Sequence, residues 1–257
     1  MKFPFQKYQA TGNDFVIVDN RDGEYSFTAQ QVQNICDRKF GVGADGIMLI
    51  EKHPTLDFNL IYYNADGSAS LCGNGSRAAV KMASALGMVN GKAKFNAYDG
   101  LHEATLLPNG NVRLKMNDVA EVKKWSADFF INTGSPHFIQ FINNGMDFPV
   151  FDAGRKIRYS EDFKPGGTNA NFVELMDDNT IFVRTYERGV ENETLSCGTG
   201  VTAAALAASF RQYSSPVSVK TLGGELSVEF NLRHDGSFTD IFLVGPAKMV
   251  FVGTLEL

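Results

Sequence analysis

Leu71-Cys72-Gly73-Asn74-Gly75-Ser76-Arg77-Ala78-Ala79 and Ser196-Cys197-Gly198-Thr199-Gly200-Val201-Thr202-Ala203-Ala204 are two copies of one pattern. Each is a Cys-Gly-x-Gly turn that runs into an alanine-rich segment. Alanine has the strongest intrinsic preference for helix. A glycine-rich turn at a helix start presents first-turn N–H groups to an anion. The cysteine then sits at the positive end of the helix dipole, which favours thiolate over thiol. Two such turns in one chain point to a pair of thiols that face one small acid.

Outward from these turns the chain repeats itself. The segment from Gly75 to Leu86 is apolar nearly all round, which marks a buried helix, and Gly87 is placed to end it. Gly200 to Phe210 reads the same way. Ala10-Thr11-Gly12-Asn13-Asp14-Phe15 is echoed by Asn132-Thr133-Gly134-Ser135-Pro136-His137. Gly41-Val42-Gly43-Ala44-Asp45 is echoed by Gly166-Gly167-Thr168-Asn169-Ala170, and Tyr63-Asn64-Ala65-Asp66-Gly67 by Tyr186-Glu187-Arg188-Gly189. The offsets are all about 122 to 125 residues, and the order is kept. A duplicated domain is expected, with a small-molecule site in a cleft between the copies.

Short β-type runs bounded by Gly and Asp fill much of the rest. They include Phe15 to Val18, Ile47 to Ile50, Phe58 to Tyr63, Ala93 to Lys115, Phe129 to Ile131, Phe138 to Ile142, Thr180 to Tyr186 and Val217 to Val252. Thr28 to Arg38 has helical spacing, with Thr28 as N-cap and Gln31 completing a capping box. A short helix is expected from Gly154 to Tyr159. Asn117 to Trp125 is polar and reads as a connection between halves.

The totals exclude several classes. At 257 residues and 44% hydrophobic, the chain can bury sizeable cores. A formal net charge of −5 argues against a nucleic-acid partner. The start has no apolar signal region, and no apolar run approaches bilayer length, so a cytoplasmic protein without a membrane partner is expected. Cys36, Cys72 and Cys197 are too few and too odd in number for a disulfide framework. His53, His102, His137 and His234 are scattered, so no metal site is expected. Cys36 reads as a buried core thiol. Gly41-Val42-Gly43-Ala44-Asp45-Gly46 fits the dinucleotide fingerprint in letters only, because a helix precedes it and a strand follows.

Two thiols suit proton transfer at a carbon acid. A base on one face removes the proton while an acid on the other supplies one, which inverts the centre. Backbone N–H groups of Gly73, Asn74, Gly198 and Thr199 are candidates to hold the substrate carboxylate and the charge that develops beside it.

These residues, together with Ala10 to Phe15, Arg38 to Gly46, Asn64-Ala65-Asp66-Gly67-Ser68, Gly134 to His137, Gly167 to Phe172, Glu187-Arg188-Gly189 and Glu193 to Gly200, resemble the diaminopimelate epimerase family along essentially the whole chain. The resemblance implies an α+β fold of two pseudo-symmetric domains, each a mixed, mostly antiparallel sheet wrapped around a central buried helix. The expected bounds are 1–117 and 118–246, with a strand from about 247 to 257 returning to the first domain. It implies a cofactor-independent homodimer that converts LL- to meso-diaminopimelate, for lysine and cell-wall synthesis. Cys72 and Cys197 match the acid and base; Asn13, Asn64, Ser135, Asn169, Glu187 and Arg188 match substrate contacts. The distal end of that substrate is a zwitterion, so Arg188 can fork its carboxylate and Glu187 can take its ammonium.

Two departures stand out. Ser135 replaces the family's usual Asn, and the link from Arg188 to Cys197 is one residue longer at Glu191-Asn192. Two other readings compete. Proline racemase-like enzymes share the two-thiol logic but carry His where this chain has Asn74. Phenazine-pathway relatives lack the cysteine pair.

Overall fold

Phe15, Val16, Ile17 and Val18 are apolar in succession, and all four are buried. A strand with one wet face alternates; a continuous apolar run needs cover on both faces. The computed structural model, which describes residues 1–257, shows that cover. α1 (Ala29–Cys36) lies on one face, where Val16, Val18, Ile47 and Leu49 cluster with Val32, Ile35 and Cys36. α2 (Gly73–Ala85) lies on the other, and a Cβ built at Gly75 would fall 2.2 Å from Met48 Cε and 3.5 Å from Phe15 Cε1. Glycine there lets the helix start press onto the sheet.

The chain divides into two units, Met1–Leu114 with Gly245–Leu257, and Lys115–Val244. The first unit holds β1 (Lys2–Ala10), β2 (Asn13–Asp19), β3 (Gly46–Glu51), β4 (Phe58–Asn64), β5 (Lys92–Ala97), β6 (Gly100–Leu106) and β7 (Val112–Lys115). Each strand pairs with the next, and all pairs are antiparallel except β2 with β3 and β4 with β5.

The second unit holds β8 (Val122–Trp125), β9 (Asp128–Asn132), β10 (Pro136–Ile142), α3 (Val150–Arg158), β11 (Asn169–Leu175), β12 (Thr180–Glu187), β13 (Asn192–Thr194), α4 (Gly198–Ser209), β14 (Val217–Thr221), β15 (Gly224–Leu232) and β16 (Phe238–Gly245). From β9 to β16 the pairing sequence of β1 to β7 recurs, with β10–β11 and β12–β14 parallel and the other pairs antiparallel. β13 is a short addition beside β12. The last strand, β17 (Lys248–Glu256), pairs antiparallel with β1, as β8 pairs with β9. One topology therefore occurs twice in the chain.

Each unit has its sheet wrapped around one helix. α2 touches β1, β2, β3, β4, β6 and β17; α4 touches β9, β10, β11, β12, β14 and β15. Val201 to Ala208 are all buried. Alanine's small side chain lets strands close on the helix from several sides. α3 takes the outer position in its unit, over Ala170, Phe172 and Tyr186. No helix is long and apolar enough to cross a membrane.

The structure departs from the sequence reading at six elements. Both central helices start earlier than expected, at Gly73 and Gly198, because the cysteines themselves are the N-caps. The stretch 117–125 is not only a connection: Val122–Trp125 is a strand, with Lys123 and Lys124 exposed. Charged side chains of this kind suit a sheet edge. β1 and β11 add to the expected strands: Pro4 interrupts the alternation of β1, and β11 opens on the polar Asn169-Ala170-Asn171. α3 starts at Val150, and Gly154 lies inside it. A Cβ at Gly154 would fall 2.2 Å from Tyr186 Cβ. Gly154→Ala is therefore expected to destabilise the protein by about 1–3 kcal/mol, read from the urea midpoint. An unchanged midpoint would show that α3 shifts freely. The capping box of Thr28 and Gln31 forms as expected, and the Gly41–Gly46 stretch lies between α1 and β3.

Candidate active site

In the first unit Cys72 caps α2 from an extended backbone (φ −129°, ψ 114°), and the Gly75 N–H donates to Cys72 Sγ at 3.4 Å. That sulfur lies 3.4 Å from Asn13 Oδ1, which also accepts from Asn74 Nδ2 at 3.4 Å. Asn13 Nδ2 donates to the Asp45 carboxylate, which fixes the amide's orientation and leaves its carbonyl toward the sulfur. Arg38 bridges Asp45 and Asp14 at 2.8 and 2.7 Å, and Lys7 pairs with Asp14 at 2.7 Å. Burial works to raise the Asp14 pKa, but the bonds and charges of Arg38 and Lys7 outweigh it and hold the carboxyl below its usual range. Asn64 closes the turn after β4, donating to Ser68 Oγ at 2.9 Å and accepting from Ser70 Oγ at 3.2 Å.

Beneath the start of α2 lies Arg77, with no exposed surface. It donates to Gly73 O at 3.5 Å and Thr11 Oγ1 at 3.3 Å, and its Nε has no partner. Burial pushes its pKa down to about 10, against the pull of the Cys72 charge. It remains a cation at neutral pH.

In the second unit Cys197 caps α4 from a matching backbone (φ −110°, ψ 112°). Its sulfur lies 3.5 Å from Thr199 Oγ1. Thr199 Oγ1 and Ser135 Oγ each lie 2.9 Å from His137 Nε2. Asn171 Nδ2 donates to His137 Nδ1 at 3.1 Å, which assigns the ring proton to Nε2. Asn169 donates to Ser135 Oγ at 3.3 Å and accepts from the Arg188 N–H at 2.8 Å. The Arg188 guanidinium bonds only Gly166 O, at 3.3 Å, and pairs with no carboxylate of the protein. Glu187 Oε2 accepts from Thr194 Oγ1 at 3.0 Å. Gly200 repeats the logic of Gly75: a Cβ there would fall 2.4 Å from Asn171 Oδ1.

Complete burial pushes the His137 pKa from 6.5 down to about 3, and the Arg188 charge acts the same way. The ring is neutral at pH 7. Its folded pKa lies below the unfolded value, so only the unfolded chain takes up this proton as pH falls from about 6.5 toward about 3. Stability is full above that window and declines through it, by up to about 1.4 kcal/mol per pH unit. His137→Asn is expected to flatten that decline, measured as urea midpoints from pH 7 to pH 4. An identical decline in the variant would assign it to other groups.

The structure thus joins Asn13, Asn74 and Cys72 in one unit, and Ser135, Asn169, Arg188, Thr199 and Cys197 in the other. It adds Asp45, Arg77, His137 and Asn171, which motif reading passed over as active groups. One signal for Asn171 is in the sequence: period-2 alternation along β11 puts it on the same strand face as Asn169. The extra residue of the 187–197 link falls at a tight turn. Glu191 adopts φ +56°, and its N–H donates to Glu187 O at 2.8 Å.

Each central helix starts on a cysteine N-cap, at the positive end of the helix dipole, a setting that favours thiolate over the thiol of a free cysteine. The model of the diaminopimelate epimerase family matches residues 5–122 and 129–250. The diaminopimelate epimerase of Flavobacterium psychrophilum is 46% identical over 97% of this chain and 98% of its own. Among solved structures, a Bacillus anthracis phenazine biosynthesis protein of the PhzF family superposes with a TM-score of 0.79 at 14% identity, over all of both chains. A hydroxyproline epimerase from Agrobacterium vitis does so at 0.71 and 14% identity, over 99% of this chain and 92% of that one. Those two share the fold; identity along the full length goes further, and by it this chain belongs to the diaminopimelate epimerase family, whose reaction is the epimerisation of diaminopimelate in lysine biosynthesis.

Proposed function

We propose that Cys72 and Cys197 act as the acid/base pair on one α-carbon of diaminopimelate and convert the LL form to the meso form without a cofactor. One thiolate takes the Cα proton as the other thiol delivers its own to the opposite face. The observation that carries this reading is the pair of cysteine N-caps, each in an extended backbone at the start of a buried central helix. The first-turn N–H groups of Gly73, Asn74, Gly198 and Thr199 would hold the substrate carboxylate and the charge that develops next to it. Asn13, Asn64, Ser135 and Asn169 would contact the substrate's polar groups. Arg188, with no ion-pair partner of its own, would fork the distal carboxylate, and Glu187 would receive the distal ammonium.

Heavy water tests the proton path. A thiol carries a single proton, and the delivering thiol exchanges with solvent before substrate binds. Early meso product should therefore carry deuterium at the inverted carbon, and recovered LL substrate almost none. Substantial protium in the first product would overturn the two-thiol reading and favour one base that swings between faces.

In the same reading the product feeds lysine and cell-wall precursors, and the enzyme works in the cytoplasm with no nucleic-acid or membrane partner. It is also a homodimer. Met249, Val250, Phe251 and Val252 lie exposed in succession on β17, a surface that a second copy would cover. Sedimentation is expected to give twice the 28.2 kDa chain mass, and a monomer at micromolar concentration would sink this part.

A further inference from the structure

Five residues after each cysteine the two central helices differ. Arg77 stands in α2 where Thr202 stands in α4. Both are wholly buried, and both reach the carbonyl of the residue after the cysteine: Arg77 Nη1 donates to Gly73 O at 3.5 Å, and Thr202 Oγ1 to Gly198 O at 2.9 Å. One therefore brings a full charge to its helix start and the other brings none. No carboxylate lies within ion-pair distance of Arg77, and its Nε is unpartnered. A buried cation without a counter-ion is strongly unfavourable unless an anion forms beside it. Cys72 stands at the same helix start, and its charge acts on Arg77.

We propose that Arg77 is a positioning residue that makes the two thiols unequal: it holds Cys72 as the thiolate in the free enzyme, while Cys197, above Thr202, rests as the thiol. This rests on the two-thiol reading above. The free enzyme is then armed for the epimer whose Cα–H meets Cys72. Cys72 takes that proton, Cys197 gives its own, and the charges are exchanged. Before the next turnover in that direction Cys72 returns a proton to solvent and Cys197 takes one up.

The other groups around α2 do not undo this. Lys7, Asp14, Arg38 and Asp45 are two of each sign and pair among themselves. Asp19 is paired with Arg21, Glu51 is bonded by Asn20 and Asn59, and His102 is bonded to Asp99. The Gly75 N–H donates to Cys72 Sγ, which also favours thiolate. Asn13 Oδ1 favours the protonated form, but a neutral amide dipole is weaker than a full charge in a dry interior. In the second unit His137 is neutral, the Glu187 carboxylate accepts from Thr194, and the Arg188 guanidinium bonds Gly166 O.

Site-resolved alkylation with iodoacetamide, read by peptide mass across pH on the intact enzyme, tests the proposal. Cys72 is expected to reach half-maximal rate at a pH lower than Cys197 by about one unit or more. In Arg77→Met the Cys72 midpoint should rise by about one unit or more while that of Cys197 stays, and Arg77→Lys should restore most of the difference. Coincident midpoints in the wild-type enzyme, or an unmoved Cys72 midpoint in folded Arg77→Met, would overturn it. The wild-type comparison decides alone if Arg77→Met does not fold. Coincident midpoints with an inactive Cys72→Ala would remove the role of Arg77 only, whereas an active Cys72→Ala would remove the two-thiol reading itself.

Discussion

Cys72→Ala and Cys197→Ala are each expected to slow epimerisation by at least about a hundredfold while the protein stays folded. Inversion needs a base on one face and an acid on the other in the same turnover, and alanine removes one of them. A well-placed proton-transfer group contributes on the order of 10²–10⁴-fold. The two losses should not add, because the single variants already break the same step. Folding should survive. Cys72 is only partly buried, and Cys197 gives up a sulfur at the rim of its core rather than a large side chain. Loss of the Gly75–Cys72 cap bond costs on the order of 1 kcal/mol. The measurement is the initial rate from LL-diaminopimelate, with a thermal melt on the same samples. If either variant keeps more than about a hundredth of the activity with an unchanged melt, that cysteine does not carry the proton.

Arg188→Met is expected to lower kcat/KM on diaminopimelate by about a hundredfold, with the melt little changed. Charge-assisted hydrogen bonds are each worth about 1.5–3 kcal/mol, and about 1.4 kcal/mol is a factor of ten. A forked carboxylate therefore accounts for two orders of magnitude without other help. The protein itself makes little use of this guanidinium, whose one bond is to Gly166 O at 3.3 Å, so the substitution removes no ion pair from the fold. Methionine keeps most of the length and none of the charge. Lysine as substrate lacks the distal carboxylate and should be turned over poorly by the wild-type enzyme. Equal rates on lysine or proline, or an unaffected Arg188→Met, would move the reading toward the proline racemase-like alternative.

Much of this was present in the order of residues. The two Cys-Gly-x-Gly turns announced the two central helices, because glycine spacing and alanine content act locally and need no distant partner. The echoed motifs at about 125-residue spacing announced one topology used twice. The capping box at Thr28 and Gln31 is of the same local kind, and it forms as read. Other features were decided only by packing. Whether β1 forms despite Pro4 depends on β2 and β17 on either side of it. Arg77 looked like one more residue of an apolar helix until the sheet closed over it and left it without a counter-ion. His137 was one of four scattered histidines until Asn171, Ser135 and Thr199 met it from a neighbouring strand, a turn and a helix start. Chain order determined which groups could carry the reaction, since side-chain chemistry and local backbone preference belong to each residue. Tertiary structure decided which of them are dry, paired and charged, since desolvation and long-range partners exist only after the strands have assembled around the helix.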